Sequence, residues 1–144
     1  MPELCTIGYE TYTQPELIAR LREAGVEVLI DVRAVASSRK AGFSKNLLAN
    51  GLAEAGIEYV HLRGLGTPKA GREAARAGRI AEMHAIFEGQ LATPEAEHDM
   101  ARAEAIVSER PATLLCLEAD AAVCHRRIVA ERLRQRLGIA VRDL

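Results

Sequence analysis

The strongest constraint on this chain's fold is a rhythm. Five short apolar runs, at residues 4–8, 26–32, 57–62, 112–117 and 139–141, are separated by longer stretches whose apolar residues recur at helical spacing. Within the runs, Val28-Leu-Ile30 and Leu114-Leu115 are apolar at successive positions. An edge strand with one wet face alternates instead, so these read as strands covered on both sides.

The intervening stretches carry their own start and stop signals. Thr13-Gln-Pro-Glu16 fits a capping box, followed by the stripe Leu17, Ile18 and Leu21 and a left-handed stop at Gly25. Ser44 can cap a helix bearing Leu47, Leu48 and Leu52 that closes at Gly56. Residues 64–79 are punctuated by Gly64, Gly66, Gly71 and Gly78 and read as loop and frayed helix. Ile80, Met83, Phe87 and Leu91 form a further stripe, and Thr93-Pro94 opens a helix with Ala96, Met100, Ala103 and Val107 inward. Asp120 is placed to cap a last long helix reaching about Leu137.

This alternation predicts one three-layer α/β domain over residues 1–144. Its sheet is mostly parallel, with about five strands and helices on both faces. Strand order is not readable from the pattern. The chain's 144 residues can bury roughly 68–70% of the unfolded surface, enough for a core without staples. No apolar run reaches the roughly 18 residues of a membrane span. Three cysteines, Cys5, Cys116 and Cys124, cannot all pair, and with no signal-peptide layout at the start the expected compartment is the cytosol. There is no Trp, which argues against a stacking platform for single-stranded nucleic acid.

Net charge is −1, but it is unevenly laid down. Residues 1–32 carry −4, residues 33–79 carry +6, residues 80–123 carry −7 and residues 124–144 carry +4. A basic block inside a neutral chain points to a local anion site more than to a surface that coats nucleic acid. Within it, Arg72, Arg76 and Arg79 are expected on the solvated face of a helix.

In open parallel sheets ligands bind beyond the carboxyl ends of the strands, and the chain's reactive residues gather there. Tyr9 follows the first run, Asp31 and Arg33 close the second, and His61 and Arg63 close the third. Cys116, Glu118 and Asp120 close the fourth, followed by Cys124-His-Arg126. The expected pocket holds Arg33, Glu118, Cys124, His125 and Arg126 together, with Arg33 free to bind an anion. Thr6-Ile-Gly-Tyr9, Asp31-Val-Arg33, Ser38-Arg39, Phe43-Ser44, Leu65-Gly66 and Leu115-Cys-Leu-Glu118 followed by Cys124-His-Arg126 resemble the family called domain of unknown function 488. The chain departs from that pattern at Ala36 and at Thr67-Pro68. The resemblance implies a compact α/β domain and no particular activity.

The residues leave several chemistries open. Cys124, His125, Glu118 and Asp31 are candidates for catalytic roles. Thr6, Gly8, Tyr9, Arg33, Arg39, Lys40, Gly66, Cys116 and Arg126 are candidates for holding a phosphate-bearing ligand such as a nucleotide or nucleic-acid end. Structural roles compete throughout: a salt bridge for Asp31, a small buried hydrophobe for Cys124. One alternative is a nucleic-acid-binding module without chemistry, and another is a thiol redox sensor using Cys116 and Cys124. No cofactor is expected. A metal is not expected either, because adjacent Cys124 and His125 on a helix point about 100° apart and no Cys-x-x-Cys spacing occurs. Neither dinucleotide nor nucleotide-hydrolase glycine motifs are present.

Overall fold

Five parallel strands order themselves as β3-β2-β4-β1-β5 in the computed structural model, which describes residues 3–144. The strands are β1 (Glu3–Gly8), β2 (Val28–Asp31), β3 (Glu58–His61), β4 (Ala112–Cys116) and β5 (Ala140–Asp143). The helices are α1 (Gln14–Glu23), α2 (Lys45–Glu54), α3 (Lys69–Arg76), α4 (Ile80–Leu91), α5 (Pro94–Glu109) and α6 (Arg126–Leu137). The expected α/β architecture is therefore present, with every ladder parallel.

Two apolar layers flank the sheet. On one face Cys5, Ile7, Leu29 and Leu115 pack with Leu17 and Leu21 of α1 and Leu48 and Leu52 of α2. On the other, Leu4, Val28, Ile30, Leu114 and Cys116 pack with Phe87 and with the inward stripes of α5 and α6. Strand side chains alternate between faces, so Cys116 shares the α5–α6 side with Ala112 and Leu114. The fully buried patterns of β2 and β4 match their central places in the sheet.

Local signals act largely as read. Thr13 and Glu16 exchange both capping-box hydrogen bonds at the start of α1, and Gly25 takes φ 74° just beyond its end. The Thr93 hydroxyl accepts from the Ala96 amide, ahead of Pro94 at the first helical position.

Three expectations are corrected. Ser44 precedes α2 but makes no side-chain cap, because its hydroxyl accepts from the Ser38 amide and donates to the Ser38 carbonyl. The glycine-rich stretch is not mainly loop: after a single 3-10 turn at Arg63–Leu65 it forms α3, whose Gly71 and Ala74 are buried. Asp120 caps only a 3-10 turn, Ala121–Val123, and α6 begins at Arg126. Cys124 and His125 thus precede the helix instead of lying one turn inside it.

Candidate functional site

β4 lies between β1 and β2, with Asp31 opposite Leu115 and Gly8 opposite Cys116. The carboxyl ends of these three central strands therefore open onto one rim. What each residue does there follows from its partners.

At the end of β2, Asp31 and Arg33 form a buried ion pair. Arg33 Nε donates to Asp31 Oδ1 and Oδ2 at 2.9 and 3.1 Å, and Nη2 donates to Oδ2 at 2.7 Å. Arg33 Nη1 donates to the Phe43 carbonyl at 2.8 Å and to the Tyr9 hydroxyl at 3.3 Å. The Tyr9 ring stacks on Phe43, and the guanidinium carbon lies 5.2 Å from its centroid. The Tyr59 hydroxyl donates to Asp31 Oδ2 at 2.5 Å. Burial opposes the charge on Arg33, but the hydrogen bonds and the charge of Asp31 more than offset it and hold the guanidinium ionised. Burial, followed by its bond to Asp31, pushes the Tyr59 phenol above its ordinary value. Arg33 is thus the cation of a structural pair, which corrects the expectation that it stands free for an anion. Asp31 lies beneath it, fully buried.

At the end of β4 the chain turns back over the rim. Arg126, 1% exposed, reaches from the first position of α6 into this turn. Its Nη1 donates to the Glu118 carbonyl and to Cys116 Sγ, the latter at 3.3 Å, and its Nη2 donates to the Ala119 carbonyl at 3.3 Å. Its Nε has no partner among the described residues. Arg126 therefore holds the loop from inside and does not line the cavity described below. Gly8 is needed in the same place: a Cβ there would strike the Glu118 carbonyl backbone.

The sulfurs of Cys116 and Cys124 meet as a disulfide, with Cα atoms 7.5 Å apart. His125 lies beside them, its ring edge-on to Phe87. His125 Nε2 is 2.7 Å from the Val32 carbonyl, and a carbonyl only accepts, so Nε2 carries the proton. Nδ1 is left with its lone pair, 3.8 Å from Cys124 Sγ. Burial, helped by the charge of Arg126 and opposed by the Val32 carbonyl, lowers the imidazole pKa to about 4, so the ring is neutral near pH 7. Glu118 Oε2 lies 3.5 Å from Cys116 Sγ, and burial raises that carboxyl above its ordinary value.

Above these groups lies a cavity of about 250 Å³. Of the expected site residues, Tyr9, Arg33, Cys116, Glu118 and His125 line it. Cys124 stands behind Cys116, joined to it. Thr6 instead donates to Asp143 across the β1–β5 ladder. Gly66 is packed against the Ala34 backbone, where a side chain would not fit. Arg39 is exposed and away from the cavity, and Lys40 Nζ donates to the Glu10 carbonyl at 2.9 Å.

Arg72 and Arg76 of α3, expected on a solvated helix face, also line the cavity, as do Thr67 and Ser37; Arg72 is half-buried there and Arg76 is exposed. Arg72 Nη1 donates to the Thr67 carbonyl at 2.9 Å. Among the described residues neither arginine is paired with a carboxylate, whereas Arg79 pairs with Glu82. A signal was present: two arginines four apart on the element following a strand's carboxyl end.

A solved structure of like fold is that of a candidate phosphatase (DUF442) from Shewanella putrefaciens CN-32, with a TM-score of 0.55 and 17% identity. The match covers 96% of this chain and spans 66% of that one. No curated protein matches. The family model for DUF488, a domain of unknown function, matches residues 13–133, and the chain belongs to that family.

Proposed function

We propose that the rim cavity binds a small phosphate-bearing anion, with Arg72 and Arg76 as its charged wall. The observation that carries this reading is the pair of arginines one helical turn apart, half-buried Arg72 and exposed Arg76, both lining the cavity and unmatched by any described carboxylate. Guanidinium groups so placed offer bidentate, charge-assisted bonds to phosphate oxygens. Thr67 and Ser37, which bear hydroxyls, also line the cavity. Glu118 is the acidic group lining the space, and burial raises its carboxyl above the ordinary value.

At about 250 Å³ the cavity falls below the usual range for drug-sized ligands, roughly 300–1,000 Å³. Its size favours a phosphate or a small phosphomonoester over a nucleic-acid strand. The phosphatase description carried by the protein of like fold agrees with this ligand class.

The test is thermal unfolding in inorganic phosphate or phenyl phosphate, against chloride at matched ionic strength. Tm should rise with the logarithm of ligand concentration for the unaltered protein. It should not respond in the Arg72→Ala/Arg76→Ala double variant. An equal rise in chloride, or a rise that survives in the double variant, would remove the reading. Tight binding of long oligonucleotides with a steep salt dependence would favour a nucleic-acid module instead.

The joined sulfurs favour a second reading, a thiol pair that responds to peroxide. Two thiols and one hydrogen peroxide give the disulfide and two waters. The intact mass of the reduced protein should fall by two hydrogen atoms on mild peroxide treatment, and an unchanged mass would remove this reading.

A further inference from the structure

One ligating atom from each of Cys116, Cys124 and His125 lies within 4.8 Å of the other two, and all three residues are buried. Cys124 and His125 do not diverge as adjacent residues on a helix would. Cys124 is extended, at φ −115° and ψ 143°, and His125 turns at φ −62° and ψ −20° before α6 begins. Two adjacent side chains that would diverge on a helix are thereby aimed at one point.

We infer that, with its cysteines reduced, the trio Cys116, Cys124 and His125 is a three-ligand site for a thiophilic divalent ion of the zinc class. The donor set is two thiolates and an imidazole, which selects zinc-like ions over magnesium or calcium. His125 is already oriented: Nε2–H is held by the Val32 carbonyl and Nδ1 presents its lone pair toward Cys124. A carbonyl fixing the far nitrogen is the usual outer support of a metal-bound histidine. Around a tetrahedral zinc, sulfur and nitrogen stand about 3.6 Å apart and two sulfurs about 3.8 Å apart. The 3.8 Å from Cys124 Sγ to His125 Nδ1 is close to the first figure.

The two sulfurs must open from contact to reach the second. Their Cα atoms are 7.5 Å apart, already beyond the roughly 4.4–6.8 Å usual for a disulfide, so side-chain rotation alone gives that room. Both sulfurs also have donors beside them: Arg126 Nη1 at 3.3 Å from Cys116 and the Arg126 amide at 3.5 Å from Cys124. Such donors stabilise bound thiolates.

The site has three protein ligands, and two of them, Cys116 and His125, line the cavity. A fourth position is therefore left open toward it, as in metal sites that bind an exchangeable ligand. A small dithiol reduces the Cys116–Cys124 bond, yielding two protein thiols and its own cyclic disulfide. The ion then displaces two thiol protons. Hydrogen peroxide re-forms the disulfide: the two thiolates give up two electrons, peroxide takes these with two protons to leave as two waters, and the ion is released. This inference stands whether or not the cavity takes a phosphate.

Cobalt(II) titration of the full chain, reduced with dithiothreitol and desalted without oxygen, tests it. The expected result is one ion per chain, with thiolate-to-cobalt charge-transfer absorption and tetrahedral visible bands, all bleached by zinc. The bands should be lost in Cys124→Ser and kept in Cys5→Ser. A second measurement needs no variant: zinc should shield Cys116 and Cys124 from alkylation, as read by peptide mass mapping. Absence of charge transfer in the reduced unaltered protein, or alkylation of both cysteines at the same rate with and without zinc, would overturn the inference. Phosphate protection, measured separately, bears only on the anion reading.

Discussion

Asp31 and Arg33 face each other across the end of β2, Nη2 to Oδ2 at 2.7 Å, with neither side chain more than 7% exposed. Removing one partner leaves the other charged and buried. Arg33→Ala should therefore destabilise the unliganded protein by about 3–5 kcal/mol. Arg33→Lys should not restore the loss, because an ammonium cannot reproduce the fork that meets Asp31, Phe43 and Tyr9 together. Urea unfolding of the two variants checks this. A midpoint unchanged in Arg33→Ala would show that the pair does not hold the fold.

Gly8→Ala should be disruptive although the position is only a strand end. The added carbon meets the backbone of Glu118 and Ala119, which cannot rotate aside as a side chain can. A loss of about 1–3 kcal/mol is expected, together with weaker phosphate protection as the loop over the cavity shifts. Gly25→Ala makes a useful contrast, since no atom stands within 4 Å of its added carbon. Its loss should come from the left-handed φ of 74° alone, with phosphate protection intact. Paired melting curves with and without phosphate separate the two cases.

Arg126→Lys should lower stability as well. Its side chain serves two carbonyls and a sulfur at once, and a single ammonium cannot reach all three. Amide exchange should accelerate first in residues 117–123, the segment it holds, before the rest of the sheet is affected. Uniform exchange across the chain would speak against that local role.

Thr13→Ala should cost about 1 kcal/mol through loss of the cap on α1. The reciprocal half of the box has a pH signature. The Thr13 backbone amide, followed by its side chain, holds the Glu16 carboxyl below the ordinary carboxylate value. A depressed carboxylate stabilises the fold above the unfolded pKa and loses that contribution as pH falls through the folded one. The Thr13 amide that donates to this carboxylate survives in Thr13→Ala, so the pH signature is read in Glu16→Ala: its difference from the unaltered protein should be full at neutral pH and shrink as pH falls through the carboxylate range. A difference independent of pH would leave the hydroxyl as the whole of the cap.

Element identity was legible where one local signal sufficed. The apolar runs of β2 and β4 and the Thr13 and Thr93 caps needed no information from elsewhere in the chain. Glycine density hid α3, because Gly71 reads as a breaker yet sits where Thr67 and Ile86 press close and only a small residue fits. The site was half legible for a related reason. Parallel topology assigns strand ends to one rim, so the place of Tyr9, Cys116 and Glu118 beside the cavity was readable. Which arginine faces inward depends on packing between distant elements. Arg33 is claimed by Asp31, while Arg72 and Arg76 acquire their position only when α3 settles above the rim. The direction of Cys124 and His125 turned on where α6 starts, a boundary that composition does not mark.

The place of β4 between β1 and β2 also sets an order of events during synthesis. β1 is flanked by β4 and β5, so it has no neighbour in this sheet to pair with until residue 112 or later has left the ribosome. β2 and β3 can join early through the short crossover that carries α2. β1 must wait, with the apolar side chains of Leu4 and Ile7 uncovered, for most of the chain's length. Such late, long-range pairing slows folding and leaves a nascent chain dependent on protection by other factors. A ribosome stalled before residue 112 should therefore hold a chain that proteases cut within residues 3–25 and spare in the β2–α2–β3 unit.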